Sequence, residues 1–306
     1  MTPNSVTPNR QAIHDNRTDQ MTSTVRSLRE AAVAMFGAAG ILDPDVDAEL
    51  LIGHVLGLSR GQVQAGVVID AAVSEVDAAA IAEAVRRRAT REPLQHITGR
   101  SPFRALELAV GPGVFVPRPE TETVAQYAID ALRVVASAQP VAVDLGAGSG
   151  AIALALATEV PHAVVYGVEN SPEAFVWTEL NFRESGAGNA HPVFADLADA
   201  LPELDGSVDV VVSNPPYIPT DAIPRDPEVL LFDPQQALYG GEDGLDVVRQ
   251  VSSTALRLLH RGGTLVLEHG ELQGAAIREL LAADGWRAVA THPDLLGRDR
   301  TTIALR

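Results

Sequence analysis

The stretch VAVDLGAGSGAIALALA (Val141–Ala157) decides the fold. VAVDL reads as a strand. Three glycines in five residues, Gly146, Gly148 and Gly150, with Ala147 and Ser149 between them, then let the backbone turn sharply and admit a ligand close to the main chain. The alanine- and leucine-rich run that follows reads as a helix beginning near Ser149. Its unpaired N–H groups and positive dipole end point into the same crevice. In open α/β sheets, ligands bind outside the carboxyl ends of the strands, where the strand order reverses. The glycine spacing is G-x-G-x-G behind Asp144, whereas the dinucleotide fingerprint is G-x-G-x-x-G. A nicotinamide-dependent dehydrogenase therefore fits poorly, and a plain tight βα connection stays open on this turn alone.

Outward from this unit the period keeps switching. Apolar runs at Val164–Val168, Pro192–Ala195, Val208–Val212 and Thr264–Leu267 are separated by helical patterns. That alternation predicts an α/β fold, a doubly wound Rossmann-like sheet, mostly parallel. The tail, WRAVATHPDLLGRDRTTIALR, has two strand-like runs around a polar loop and predicts an antiparallel hairpin at one edge. Upstream, Ser23 to about Arg91 is helical. Leu28, Ala31, Ala32, Met35 and Phe36 fall at helical spacing. A second helix starts with Asp43 as N-cap and Pro44 at its first position, and a third with Ser74 as cap and Asp77 at the capping-box position. PFRALELAVGPGVFVPRPETE (Pro102–Glu122) reads as a β-hairpin. The expected organisation is a disordered polar extension over residues 1–21, a helical substrate-recognition domain over 22–95, a β-hairpin linker over 96–118 and a transfer domain over 119–306.

The 306 residues include no cysteine, which excludes disulfides, thiolate zinc sites and a cysteine nucleophile. No metal is expected. No apolar run approaches the roughly 20 residues that span a bilayer, and no secretory signal opens the chain, so a cytoplasmic location is expected and no membrane partner. The net charge of −17 disfavours binding to nucleic acid. Arg86–Arg88 with Arg91 is the one candidate basic patch, and a solvated helix face is its plainer explanation.

Two further pieces carry chemistry. Glu169 stands at a strand end about 20 residues past the glycine turn, where an acid accepts hydrogen bonds from ribose hydroxyls. SNPPYIP (Ser213–Pro219) follows the strand Val208–Val212. Two prolines stiffen this strand exit and leave backbone carbonyls with no local N–H partner. Asn214 adds a side-chain carbonyl oxygen, and Tyr217 an aromatic wall. A rigid cluster of acceptors suits a substrate –NH2 group. No histidine stands out as a general base.

The D-x-G-x-G-x-G turn with its downstream acid resembles the class I S-adenosylmethionine-dependent methyltransferases. That resemblance implies S-adenosylmethionine as cofactor and S-adenosylhomocysteine as product. It places the methionine portion at Gly146–Gly150, the ribose at Glu169 and the adenine beside Asp196 and Leu197, although Asp196 also fits a surface turn. N-P-P-Y resembles the signature of methyltransferases acting on planar nitrogens. EPLQHITG, VPRPETE, DLGAGSGAIALAL, NPPYIP, ALYGGEDGLDVVR, LEHG and DLLGRDR together resemble the bacterial release factor glutamine methyltransferases, in that family's order from Ser23 to Arg306. His96 stands where tyrosine is more usual, and Glu169 replaces the commoner aspartate. The resemblance implies a monomer that methylates the glutamine of the Gly-Gly-Gln loop of class 1 peptide release factors. Asn214 and Pro215 would accept the amide hydrogens, with Pro216 and Tyr217 against the amide plane and Asn214 also bordering the cofactor. Arg118 in VPRPETE faces the site or serves structure, Glu120 and Glu122 favour the following helix N-terminus, and Glu268 supports the pocket. A nucleobase exocyclic-amine methyltransferase using the same N-P-P-Y is the alternative.

Overall fold

The computed structural model describes residues 23–306. The expected extension over residues 1–21, and residue 22, lie outside the described residues. The chain divides into two compact units between Arg86 and Arg87, inside the fourth helix.

The first unit holds α1 (Val25–Ala38), α2 (Pro44–Leu56), α3 (Arg60–Val68) and most of α4 (Glu75–Ala89). Phe36, Leu51, Ile52 and Val63 are fully buried. Ser74 caps α4 as expected, accepting from Asp77 N at 3.1 Å. Asp43 occupies the N-cap of α2 but makes no side-chain capping bond, and Pro44 alone sets that start. The sequence reading did not anticipate α3, although Ser59 and Gln62 form a full capping box there. Glu49 is 3% exposed and accepts from Arg29 at 2.9 Å, Arg60 at 2.7 Å and Gln64 at 2.9 Å. Burial alone would raise its pKa, but these three donors together lower it. One ionised carboxylate thus ties α1, α2 and α3.

The second unit opens with the short α5 (Leu94–Thr98) and the hairpin strands β1 (Arg100–Phe103) and β2 (Leu106–Ala109). The hairpin is shorter than predicted and turns at Arg104, which has a positive φ of 53°. The Gly-Pro-Gly lies beyond it. A Cβ at Gly111 would strike the Trp177 ring at 2.6 Å, and Trp177 Nε1 donates to the Pro112 carbonyl at 3.2 Å. Gly111 admits the indole and Gly113, with a positive φ, lies against Glu173; neither makes the hairpin turn.

Then follow α6 (Thr121–Arg133), β3 (Val141–Leu145), α7 (Ala151–Glu159), β4 (Val164–Glu169), α8 (Pro172–Ser185), β5 (Ala190–Phe194), β6 (Val208–Ser213), α9 (Pro227–Phe232), α10 (Gln235–Leu238), α11 (Asp246–Leu258), β7 (Leu259–Glu268), α12 (Gly274–Ala283), β8 (Arg287–Pro293) and β9 (Asp299–Leu305). The seven-stranded sheet runs β5-β4-β3-β6-β7-β9-β8. Its first five strands are parallel, and β9 pairs antiparallel with both β7 and β8.

Side chains alternate along a strand, and both faces of this sheet are covered. Ala142, Val165, Val210, Val212 and Val266 pack with α6 and α7 residues such as Ile129, Leu132 and Leu154. Val143, Leu145, Val211, Leu265 and Leu267 pack with Val248, Val251, Leu258 and Ile277 of α11 and α12. The central α7 is apolar all round because it is enclosed on every side. Among the described residues, no helix is long and apolar enough to cross a membrane.

Gly167 in β4 marks a tight point of the packing on the sheet. Its φ is not positive, but a Cβ there would lie 2.7 Å from the Phe182 ring and 3.3 Å from Ala147 Cβ. Gly167→Ala is expected to cost about 1–3 kcal/mol of stability by overpacking, measured by denaturant unfolding. Phe182→Leu in the same chain should recover part of that loss.

Candidate active site

Strand β3 has β4 on one side and β6 on the other. The crossover from β3 therefore departs away from β6, and a crevice opens above their carboxyl ends. Ser213, the last residue of β6, donates through Oγ to the Leu145 carbonyl at 2.6 Å, fastening the two ends together.

The glycine loop starts there. Gly146, Gly148 and Gly150 have φ of +79°, +56° and +84°, and a Cβ on Gly146 or Gly148 would meet nothing within 4 Å. The outer side of the loop is open space, while its inner side is bonded throughout. Gly146 N and Ala147 N donate to the Val168 carbonyl at 2.9 and 2.8 Å, Thr178 Oγ1 donates to the Gly148 carbonyl at 2.6 Å, and Asn181 Nδ2 donates to the Ser149 carbonyl at 2.8 Å. Asn181 also bonds both backbone groups of Ala109. Thr178 and Asn181 are sequence-invisible supports: they sit on α8, and only the fold brings them here.

Glu169 ends β4, 8% exposed. Its Oε2 accepts from Gly148 N at 2.8 Å, and its Oε1 from Asn170 N at 3.0 Å and Ser171 N at 2.8 Å. A carboxylate has about four acceptor positions, so one remains for a ligand hydroxyl. Asp196 follows β5, exposed, and accepts from Ala198 N at 2.9 Å to form a turn. Its other oxygen lies 3.4 Å from Asn170 Nδ2. Leu197 beside it is half-buried. A glycine loop facing open space, with an acid after the next strand and a polar turn after the third, fits a nucleoside carrying an amino-acid tail.

Across the crevice, Asn214 Nδ2 donates to Thr121 Oγ1 at 3.4 Å. Among the described residues, nothing donates to Asn214 Oδ1 or to the Pro215 carbonyl. The residues after them are stitched down. Ile218 N donates to the Leu238 carbonyl at 2.8 Å, Gly240 N to the Ile218 carbonyl at 2.9 Å, and Gln273 Nε2 to the Tyr217 carbonyl at 2.9 Å. A Cβ at Gly240 would sit 2.5 Å from the Pro216 carbonyl oxygen, and one at Gly244 2.3 Å from that of Tyr217. The glycines of ALYGGEDGLDVVR therefore let one loop lie against the other.

Buried carboxyls surround this edge. Burial pushes Asp144 up to about 7, against the Ala153 amide that donates to it. Burial pushes Glu268 up to about 7 as well, opposed by the Thr121 hydroxyl and Arg300 and reinforced by Glu120. Burial, then the charge of Glu268, raises the Tyr217 phenol. Arg118 pairs with buried Asp233 at 2.7 Å and lies over the Phe115 ring, so its guanidinium is committed to holding the segment beyond the proline loop. Glu122 accepts from Arg104 N at the hairpin turn, a structural task. His269 is fully buried between the Gly270 carbonyl and Thr302 Oγ1, and burial lowers its pKa. Among the described residues, no cluster of three or more His, Asp or Glu could hold a metal ion.

The raised carboxyls leave a signature in stability. Folded Glu268 holds its proton to about pH 7, while the unfolded chain releases it near 4.5. The folded state therefore carries the extra proton between those values, and stability is lost as pH rises through the interval. Glu268→Gln should gain thermal midpoint on the parent chain as pH goes from about 5 to about 8. A midpoint difference that stays constant across that range would contradict the buried, protonated carboxyl.

Known proteins resemble this chain over most of its length. The family described as PrmC N-terminal domain matches residues 27–99, and the one described as methyltransferase small domain matches residues 106–226. A release factor glutamine methyltransferase from Streptomyces coelicolor is 49% identical, covering 87% of this chain and 92% of that protein. One from Bifidobacterium longum is 44% identical, covering 87% and 94%. A 4-amino-L-phenylalanine/4-methylamino-L-phenylalanine methyltransferase from Streptomyces pristinaespiralis is 40% identical, covering 88% and 90%. With identities of this size sustained through both units, the chain belongs to the release factor glutamine methyltransferase family.

Proposed function

We propose that this chain methylates the side-chain amide nitrogen of the glutamine in the Gly-Gly-Gln motif of class 1 peptide release factors, in the cytoplasm. The observation that carries this reading is the pair of unbonded acceptors, Asn214 Oδ1 and the Pro215 carbonyl, on a braced loop beside the glycine turn. A carboxamide nitrogen is a poor nucleophile because its lone pair is delocalised into the carbonyl. Two acceptors take its two hydrogens, fix its direction of approach and stabilise the positive charge that grows on it. Pro216 and Tyr217 pack against the amide plane.

The methyl donor is S-adenosylmethionine, which when bound supplies an electrophilic methyl on a sulfonium and leaves as S-adenosylhomocysteine. Gly146–Gly150 receive its methionine portion and Glu169 its ribose. Asp196 and Leu197 flank the adenine, and Asn214 borders the sulfonium end. The amide proton is acidic once nitrogen carries the methyl, so water suffices to take it. Residues 22–95 recognise the protein substrate, and residues 119–306 carry the transfer.

A nucleobase amine would satisfy the same two acceptors, but the basic run is already neutralised. Arg86 pairs with Glu83, Arg87 with Glu92, and Arg88 and Arg91 both with Glu228. Arg88 is 8% exposed, so only the Arg86 side of the run faces solvent.

Mass spectrometry of a release factor incubated with enzyme and donor should find one added methyl on the Gly-Gly-Gln glutamine. Asn214→Ala should lower the rate by about 10²–10³-fold with donor affinity nearly unchanged by calorimetry. An unmodified release factor, or an Asn214→Ala enzyme working at the parent rate, overturns the assignment.

A further inference from the structure

We infer that the turn between β8 and β9, with Leu295 and Leu296 at its tip, is a docking surface for the protein substrate, and that it binds an apolar patch of the release factor beside the loop that carries the glutamine. This deepens the reading in which a release factor glutamine enters the crevice at Asn214, and rests on it.

The turn is closely built. Asp294 is 7% exposed. Its Oδ1 accepts from Leu296 N at 2.8 Å and Arg298 N at 3.0 Å, and its Oδ2 from Arg298 Nε at 2.8 Å. Its own N–H donates to the Arg298 carbonyl at 2.8 Å, and Gly297 N donates to the Asp294 carbonyl at 3.0 Å. None of these bonds needs an apolar side chain at the tip, and turns ordinarily carry polar or small residues there. Here the tip residues are leucines, 94% and 78% exposed. Single exposed apolar residues are ordinary. These two have company: Leu272, in the loop that follows β7, is 87% exposed, and Ile223, beyond the proline turn, is 76% exposed. Arg225 and Glu271 approach to 3.9 Å, which brings those two loops together.

Register puts the turn at the mouth of the crevice. Ser213 lies opposite Leu267 of β7, so Asn214 is level with Glu268. Glu268 lies opposite Thr301 of β9. Pro293 lies opposite Asp299, two residues past Thr301, so the turn stands about 7 Å beyond the level of Asn214, on the side from which substrate arrives. Sideways it is two to three strand spacings from β6, or about 10–15 Å. An ordinary protein–protein interface covers about 800 Å² on each partner, a disc of about 16 Å radius. A protein that seats a glutamine at Asn214 therefore also lies over Leu295 and Leu296. One amide side chain offers few contacts, so choosing the right protein falls to surfaces outside the crevice. A second copy of this chain on the same patch would sit over the crevice and shut out the substrate. The occupant is the release factor.

The test uses the full chain, a release factor and the donor. Leu295→Ser with Leu296→Ser changes two exposed side chains, so the thermal midpoint should match that of the parent. KM for the release factor should rise at least about 10-fold, with kcat at saturating release factor and donor affinity by calorimetry close to the parent values. Leu295→Met with Leu296→Met keeps an apolar tip and should keep the parent KM. If the parent enzyme methylates the release factor and the serine variant keeps the parent KM, the docking surface falls while the functional reading stands. A rise in KM that accompanies the loss of a dimer, seen by light scattering, also overturns it, because the turn then covers a second copy. If the parent enzyme leaves the release factor unmodified, the functional reading falls and the docking surface falls with it.

Discussion

The bond from Ser213 Oγ to the Leu145 carbonyl, 2.6 Å long and buried, joins the carboxyl ends of two neighbouring parallel strands at the point where the sheet reverses its winding. What lies above depends on that junction. One strand runs on into a glycine turn, the other into a proline-stiffened turn, and only their fixed separation lets the two work on one pair of reactants. A crevice of this kind follows from connectivity, but its width follows from register. Val143 opposite Val211 and Asp144 opposite Val212 leave the two exits level.

Neither turn could hold its shape unaided. A backbone that curls through three positive φ values gives up its regular hydrogen bonds. Here the bonds are returned from the inner side by Val168, Glu169, Thr178 and Asn181. The proline turn has the opposite difficulty: it keeps acceptors free, and a mobile segment would bend to satisfy them. Its neighbours compensate. Leu238, Gly240 and Gln273 bind the residues immediately downstream, so the unbonded oxygens ride on a segment that cannot collapse to satisfy them.

The parts legible in the sequence were those with a local signature. Period switching gave the strands and the doubly wound sheet, and the tail pairs as two antiparallel strands at the β7 edge because no helix separates Arg287–Pro293 from Asp299–Leu305. The glycine turn and N-P-P-Y sit at one crevice because every parallel strand ends at the same sheet edge. What stayed hidden depended on contacts between distant segments. Arg86–Arg88 looked like a solvated run, but Arg88 is buried against Glu228, 140 residues away. The glycines at 240 and 244 looked like loop punctuation until the carbonyls of Pro216 and Tyr217 came against them. Gly111 and Gly113 looked like a hairpin turn because Trp177 and Glu173, which need the space, lie on another element. Thr121, set between two glutamates that read as helix-start acids, gave no sign of its contact with Asn214. The helix at Arg60–Val68 is a different case: its Ser59–Gln62 capping box was on the page in the sequence.

An asparagine suits the centre of this site better than an aspartate would. A carboxylate would bind the substrate hydrogens more strongly, but a bare negative charge beside a sulfonium favours the ground-state pair as well as the transition state, and only the difference between the two lowers the barrier. A neutral carbonyl oxygen keeps direction and gives up that wasted attraction. The cost is ambiguity, since an amide has two faces where a carboxylate has one chemistry. The acids are set one step back: Glu169 accepts from backbone amides, and the buried carboxyls of Asp144 and Glu268 are pushed up to about 7. In that position Glu169 and Asp144 organise the backbone of the glycine turn and the helix behind it, and uncharged groups are left to line the crevice.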